Sequence, residues 1–372
     1  MGVNKIKIIT PFSDIESVPR MAKLLDALDA LNVEVEHWCW LREQREQKYH
    51  SNNIHPRVLL VGGGYSNKTL ILYYIIFFLK VTSALFSTKG ERFYAIGFIS
   101  SIPLALMSRS RKIEYIFDNN DNFSKSHKWP KPLKYIIECF ENLIASRAKI
   151  HIVPSKFRWM KADKNLRFLP NLPTKKTVAR AKELSRKENY DRDGKFTIYV
   201  NGLLTLPRGI DKIYHIAKYI DADKSRIIVA GKLISEEARE MVKLPSVEYL
   251  GELSNYESLA QYFRSNLVLT LYDPSIEINR LAEPNKWGDC IATSTPFLVN
   301  NEVQTAKEYI DSGICFSCPY ENKSLLPLIN TLIANPRLLT EAEEKMSAYN
   351  QLDWEDRMRE ILEEFFVDNS YV

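Results

Sequence analysis

Long hydrophobic runs are scarce in this sequence of 372 residues. The longest unbroken one, Leu70 to Leu79, is ten residues, and apolarity resumes after Lys80 as far as Phe86. That is shorter than the roughly 20 residues a bilayer-spanning helix needs. Cysteine is scarce too: five residues (Cys39, Cys139, Cys290, Cys315, Cys318), an odd number and widely scattered. Such a pattern argues against a disulfide framework and for reduced thiols in the cytoplasm. The six histidines show no metal-ligand spacing, and no Ser-His-Asp arrangement can be inferred. Charge of one sign is also lacking. Lys and Arg total 51 against 46 Asp and Glu, a net +5. This balance is too weak to argue for nucleic acid, yet it suits diphosphates or an anionic membrane surface. Met1 to Thr10 has no long apolar core of a secretory signal and reads instead as a first strand.

What is present is alternation. Strands are expected at Lys5–Ile9, Val33–Trp38, Val58–Val61, Tyr94–Ile99, Ile113–Phe117 and Ile150–Val153, with helical sequence between them. After a charged stretch the alternation restarts, with strands at Phe196–Val200, Arg226–Ala230, Val247–Leu250, Leu267–Leu271, Phe297–Val299 and Ile314–Phe316. Strand-helix alternation implies a parallel sheet with helices on both faces. The expected architecture is therefore α/β, with a Rossmann-like domain at 1–174, an exposed, partly helical connection at 175–194 and a second Rossmann-like domain at 195–351. A final helix at about 352–368 is free to pack back on the first domain. Ligands of such sheets bind at the carboxyl ends of the strands. The apolar stretch Leu70–Phe86 has two readings, a helix buried in the core or a surface that dips into one leaflet.

The residues richest in chemistry run from Tyr272 to Asn301. Pro284-Asn285-Lys286 opens a helix, whose free N–H groups and positive dipole end suit an anion, and Lys286 adds a full charge. Asp289, one turn in, is placed to accept both ribose hydroxyls, and Thr293-Ser294-Thr295-Pro296 forms a small-residue turn. Upstream, Tyr199-Val200-Asn201-Gly202-Leu203 precedes Leu206-Pro207-Arg208-Gly209. A guanidinium there binds phosphate oxygens in bidentate fashion. Two further strands end in glycine, at Gly231 and at Gly251, the latter followed by Leu253 and the capping box Ser254-Asn255-Tyr256-Glu257.

Taken in order across residues 195–345, these segments resemble the donor-binding half of GT-B glycosyltransferases, particularly the broad family 4. The resemblance implies a fold of two Rossmann-like, doubly wound domains facing across a cleft. It implies transfer of a hexose-type sugar from a nucleotide diphosphate donor, UDP- or GDP-linked, to a saccharide or lipid-linked saccharide acceptor. The setting it implies is bacterial surface polysaccharide such as O-antigen, capsule or lipopolysaccharide. The reaction it implies is retaining and metal-independent, without a cofactor, at the inner face of the cell membrane; the alternative is an inverting reaction with Asp14 or Asp118 as general base. Arg208, Lys286 and Asn285 would hold the diphosphate and Asp289 the ribose. Glu277, Asn279 and Glu283 would meet the donor sugar, and Gly202, Gly231, Gly251 and Leu253 would frame the base. The first half matches through Ser17-Val18-Pro19-Arg20, Phe117-Asp118-Asn119-Asn120-Asp121 and Phe168-Leu169-Pro170-Asn171. Asp14, Glu16, Asp118 and Asp121 would then face the acceptor, with Asp14, Asp118 and Glu283 as candidates at the reacting centre. The family's two glutamates separated by seven residues are not reproduced: Leu281 stands eight positions before Asp289. A GT-B nucleotide-sugar epimerase and an inactive binding module are the rival readings.

Other signals carry less. Gly62 to Thr69 nearly matches a P-loop, but Asn67 replaces the last glycine, where a side chain obstructs the phosphate cradle. Cys315-x-x-Cys318 lacks a second pair for zinc. Asp221-Ala222-Asp223 reads as solvated surface.

Overall fold

The computed structural model describes residues 4–15, 18–42, 53–63, 70–126, 129–187, 194–349 and 354–367. The near P-loop beyond Gly63, Glu16, Ser17 and the connection at 188–193 lie outside them. The chain divides into two units: Met1–Pro170 with Glu355–Val372, and Asn171–Trp354.

In the first unit the order is β1 (Lys5–Thr10), α1 (Pro19–Ala30), β2 (Glu34–Leu41), β3 (Ile54–Val61), α2 (Leu70–Phe86), β4 (Arg92–Ile96) and α3 (Gly97–Arg111). Then follow β5 (Glu114–Asp118), α4 (Phe123–Ser126), α5 (Lys131–Arg147), β6 (Ile150–Val153) and β7 (Leu166–Phe168). All seven strands are parallel, in the order β3-β2-β1-β4-β5-β6-β7. The strand expected at Val58–Val61 starts earlier, at Ile54, and runs through Pro56. A proline is tolerated there because β3 is an edge, where its missing N–H costs no ladder bond. Conversely, the strand expected to reach Ile99 stops at Ile96, and Gly97, with φ +69°, turns the chain into α3.

The second unit contains α6 (Lys175–Lys187), β8 (Phe196–Leu204), α7 (Ile210–Tyr219), β9 (Ser225–Leu233), α8 (Glu236–Met241), β10 (Val247–Tyr249) and α9 (Asn255–Tyr262). It continues with β11 (Leu267–Thr270), α10 (Glu277–Arg280), α11 (Asn285–Thr293), β12 (Phe297–Asn300), α12 (Lys307–Ser312), β13 (Cys315–Cys318), α13 (Asn322–Ala334) and α14 (Pro336–Tyr349). Its six strands are parallel, in the order β10-β9-β8-β11-β12-β13. The chain thus carries two parallel α/β sheets of seven and six strands. The last helix, α15 (Trp354–Phe366), adds to the first unit, where Glu364 pairs with Arg167 and the Phe366 ring lies 5.6 Å from the Arg92 guanidinium.

Two expectations need correcting. The stretch 175–194, read as an exposed and partly helical connection, does begin with a helix, α6, but Ala181 on it is fully buried in the second unit's core. Val178 and Leu184 pack beside Ala181 and dock the helix on α9, a narrow apolar stripe three residues apart on an otherwise charged helix. The second concerns α2, which is neither wholly core nor wholly surface. Phe77, Val81 and Leu85 are buried, while Ile71, Leu72, Ile75, Leu79 and Phe86 are exposed. No helix among the described residues is long and apolar enough to cross a membrane.

Candidate functional site

In the second sheet the strand order reverses between β8 and β11, and ligands of doubly wound sheets bind beside such a switch point. The loops leaving these two strands are tied together there. The Asp273 N–H donates to the Pro207 carbonyl at 3.0 Å, and the Asn279 amide donates to Pro207 O at 2.9 Å and Asp273 O at 3.0 Å. The β8 loop closes through a 3-10 turn, Leu206–Arg208, ending on Gly209 at φ +70°. A Cβ on Gly209 would stand 2.6 Å from that of Leu271, so glycine is required where the two loops approach.

This stitching brings Arg208 beside Lys286 at the first turn of α11. The half-buried Lys286 is pushed down to about 7, first by burial and then by the nearby Arg208 charge, which Cys290 and Asp289 partly oppose. Arg208 is exposed. Neither cation makes an ion pair with a described residue. The Lys286 stem passes over Gly202, its Cε lying 3.8 Å from where a Cβ would be. Two neighbouring cations beside a helix start form a positive concentration that an anion relieves.

The helix start is itself clamped. The Asn171 side-chain amide donates to the Glu283 carbonyl at 2.7 Å, and the Asn171 carbonyl lies 2.0 Å from the position of a Cβ on Gly288. Gly288 thus lets α11 rest directly on the backbone of residue 171. Trp287, fully buried, donates its indole N–H to the Thr270 hydroxyl at 3.0 Å and stacks on Phe297. Lys286 therefore sits between two anchored neighbours.

Asp289 is half-buried near the phenols of Tyr199 and Tyr262. Burial and the Asp289 charge drive Tyr262 well above its usual range, and burial raises Tyr199 as well, with Asp289 adding to it. Under it, Asn201 donates to the Ser258 hydroxyl at 3.0 Å and the Tyr262 hydroxyl at 3.1 Å. This network was not anticipated from sequence, although Asn201 at the end of a strand was its visible signal.

The three glycines expected around the base come together. Gly202 pairs with Gly231 across β8 and β9, and the Gly231 N–H donates to the Gly251 carbonyl at 2.7 Å. A Cβ on Gly231, at φ +123°, would fall 2.1 Å from Gly202 O. The strands do not end at these glycines, however: β8 continues to Leu204 and β9 to Leu233, because the paired glycines let the ladder persist. Leu253 is half-buried in the following loop.

Other expected residues fall differently. Asn279 spends its amide hydrogens on the two loops and so serves to join them. Glu277 opens α10 and Glu283 precedes α11, both half-buried, while Asn285 is exposed at the first position of α11. In the first unit, Asp14 is exposed after β1. Asp118, a candidate at the reacting centre, is fully buried, and both its oxygens are engaged by Arg20 at 2.8 and 2.9 Å and one by the Tyr94 hydroxyl at 2.6 Å. A carboxylate held this way anchors structure and is in no position to take a proton from an acceptor. Asp121 pairs with Arg158 at 2.9 Å.

The remaining signals are structural. Burial keeps His37 neutral, down to about 3, and His151 down to about 4. Cys315 and Cys318 are buried free thiols at the two ends of β13. Asp221 caps its own turn, accepting from the Asp223 N–H at 3.0 Å. No group of three or more His, Cys, Asp or Glu among the described residues could hold a metal ion. A concavity of about 1180 Å³ in the first unit lies at the amino ends of the strands, lined by Lys7, Glu36, Arg57, Glu91 and others. Its charges pair with one another, and it stands at the end of the sheet opposite to where such folds bind ligands.

No known family model and no curated protein sequence matches the chain. Solved structures do. A sucrose-phosphate synthase from Thermosynechococcus elongatus superposes with a TM-score of 0.72 at 16% identity, covering 97% of this chain and 98% of the other. HepE from Anabaena, in complex with UDP, gives 0.69 at 15%, covering 96% and 98%. WaaG, a glycosyltransferase involved in lipopolysaccharide biosynthesis, gives 0.70 at 10%, covering 98% and 100%. A putative UDP-N-acetylglucosamine 2-epimerase from Listeria monocytogenes shares the fold at a lower score, 0.63 at 14% identity, covering 100% of both chains. The chain has the GT-B-like fold of nucleotide-sugar glycosyltransferase structures. At these identities the likeness reaches the fold and goes no further.

Proposed function

We propose that this chain is a glycosyltransferase that moves a hexose-type sugar from a nucleoside diphosphate donor to a saccharide acceptor. The observation that carries the reading is the pairing of Arg208 with Lys286 beside the start of α11, at the switch point of the second sheet. In this reading the two cations and the α11 N–H groups take the diphosphate, and Asp289 takes the ribose. The base lies against the backbone at Gly202, Gly231 and Gly251, near Leu253. Glu277, Glu283 and Asn285 border the sugar and phosphate. As the glycosidic bond breaks, negative charge grows on the departing diphosphate, and preorganised cations stabilise that charge most strongly. UDP in the HepE structure supports a nucleotide in this fold.

The reaction is read as retaining and independent of metal, from the resemblance of residues 195–345. Asp14 remains the candidate group facing the acceptor. The acceptor is read as bacterial surface polysaccharide or its lipid-linked precursor, met at the inner face of the membrane. WaaG's involvement in lipopolysaccharide biosynthesis supports that reading.

Calorimetry with UDP and GDP tests the assignment, with Arg208→Ala and Lys286→Ala as variants. Binding of one nucleotide by the native chain, weakened in both variants, is the expected result. Absence of binding to either nucleotide would leave an inactive module. Turnover of donor without acceptor, rearranging the sugar, would make the chain an epimerase.

A further inference from the structure

We propose that the outer face of α2 is a docking surface for an anionic lipid bilayer, on which the protein rests without crossing it. Ile71, Leu72, Ile75, Leu79 and Phe86 are each between 52% and 75% exposed. At 100° per residue they fall within one narrow sector of the helix, opposite the buried Phe77, Val81 and Leu85. From Ile71 to Leu79 this gives an apolar stripe roughly 12 Å long, and beyond Thr82 and Ser83 the Phe86 ring stands on the same face. A soluble surface rarely shows so many large apolar side chains on one helix face without a partner.

Its surroundings choose the partner. Residues 70–113 hold six Lys and Arg against one acid, Glu91. Glu91 is already paired with Lys7, and one of the six, Arg92, is bonded to Glu114. Lys80, Lys89 and Arg109 are exposed, while Lys112 lines the charge-paired concavity at the amino ends of the strands with Glu91 and Glu114. The Arg111 guanidinium lies 5.2 Å from the Phe86 ring at one end of the stripe. At the other end Arg42 donates to the Tyr74 hydroxyl at 2.9 Å. A protein partner of mixed charge gains little from a rim of one sign, whereas a lipid surface with anionic headgroups matches it along the whole length. Tyrosines with a buried ring and a polar tip suit the headgroup level.

The proposal is independent of the donor site and survives if that reading fails. Its test is sedimentation of the full chain with vesicles of phosphatidylcholine alone and with 30% phosphatidylglycerol. The chain is expected to partition at least tenfold better onto the phosphatidylglycerol vesicles, and less so as salt rises. Ile75→Glu with Leu79→Glu is expected to lower that partition at least tenfold while leaving nucleotide affinity where it was. Should the double variant melt early, Lys80→Glu with Lys89→Glu, at two exposed positions, is expected to lower it severalfold. Indifference of the native chain to phosphatidylglycerol, or equal partition by folded variants, would overturn the proposal. So would a dimer in light scattering that Ile75→Glu with Leu79→Glu turns into a monomer. Nucleotide binding lost with vesicle binding intact would count against the transferase reading alone.

Discussion

At the scale of single residues, the account depends on a lysine and an arginine held together without a carboxylate between them. Arg208→Ala and Lys286→Ala should each weaken nucleoside diphosphate binding by about 1–3 kcal/mol, the size of a lost charge-assisted contact. Thermal melting should not fall, since neither side chain is ion-paired with a described residue. Calorimetry and a melting curve on each variant check this together. Lys286 also makes the site pH-sensitive. In the free protein it titrates at about 7, and an anion beside it raises that value. Below pH 7 the lysine is already charged and the diphosphate binds at full strength. Above 7 the free protein must take up a proton on binding, so affinity falls as pH rises toward the higher titration point of the complex. Calorimetry at pH 8 in two buffers of different ionisation enthalpy should register net proton uptake. Its absence would mean that Lys286 stays charged throughout. Lys286→Arg should bind with little dependence on pH in this range.

At the scale of elements, the site owes its shape to backbone approaches that glycine permits. A methyl group on Gly288 would collide with the Asn171 carbonyl, which is backbone and cannot swing aside. Gly288→Ala should therefore shift α11, lowering both melting temperature and nucleotide affinity. Asn171→Ala, which removes the bond to Glu283 O, should lose affinity to a smaller extent with the fold retained. Both variants are read by melting and calorimetry. In the first unit the tie between α1 and β5 is the buried pair of Arg20 and Asp118. Burial alone would lower the Arg20 guanidinium, but Asp118 outweighs it and holds it raised. Arg20→Met leaves Asp118 buried without its partner, a change that costs about 3–5 kcal/mol. Urea unfolding should show that loss, and a loss under 1 kcal/mol would mean that Asp118 is better solvated than its surroundings imply.

At the scale of the whole molecule, the alternation of strands and helices was legible because central parallel strands are buried on both faces and read as short apolar runs. Phe196–Val200 and Ile150–Val153 announced themselves in this way. β7 did not, since Leu166–Phe168 is three partly exposed residues at a sheet edge. The same logic explains α6, whose narrow stripe of Val178, Ala181 and Leu184 is outweighed by the charged residues around it. For the site, Lys286 at a helix start was legible from Pro284-Asn285-Lys286. The Arg20–Asp118 pair was not, because the partners are 98 residues apart and each looks like an ordinary charged residue. Asp118 was thus read as facing a substrate when it faces a guanidinium. The second unit, Asn171–Trp354, is continuous in sequence and has its own core. Produced alone, it should fold cooperatively and bind the same nucleotide as the full chain, as circular dichroism and calorimetry would show.

The most direct test is a crystal of this protein grown with UDP or GDP. The account expects diphosphate oxygens about 3 Å from both the Arg208 guanidinium and the Lys286 ammonium, with the ribose at Asp289. A nucleotide seated elsewhere, or one whose phosphates touch neither cation, would contradict it.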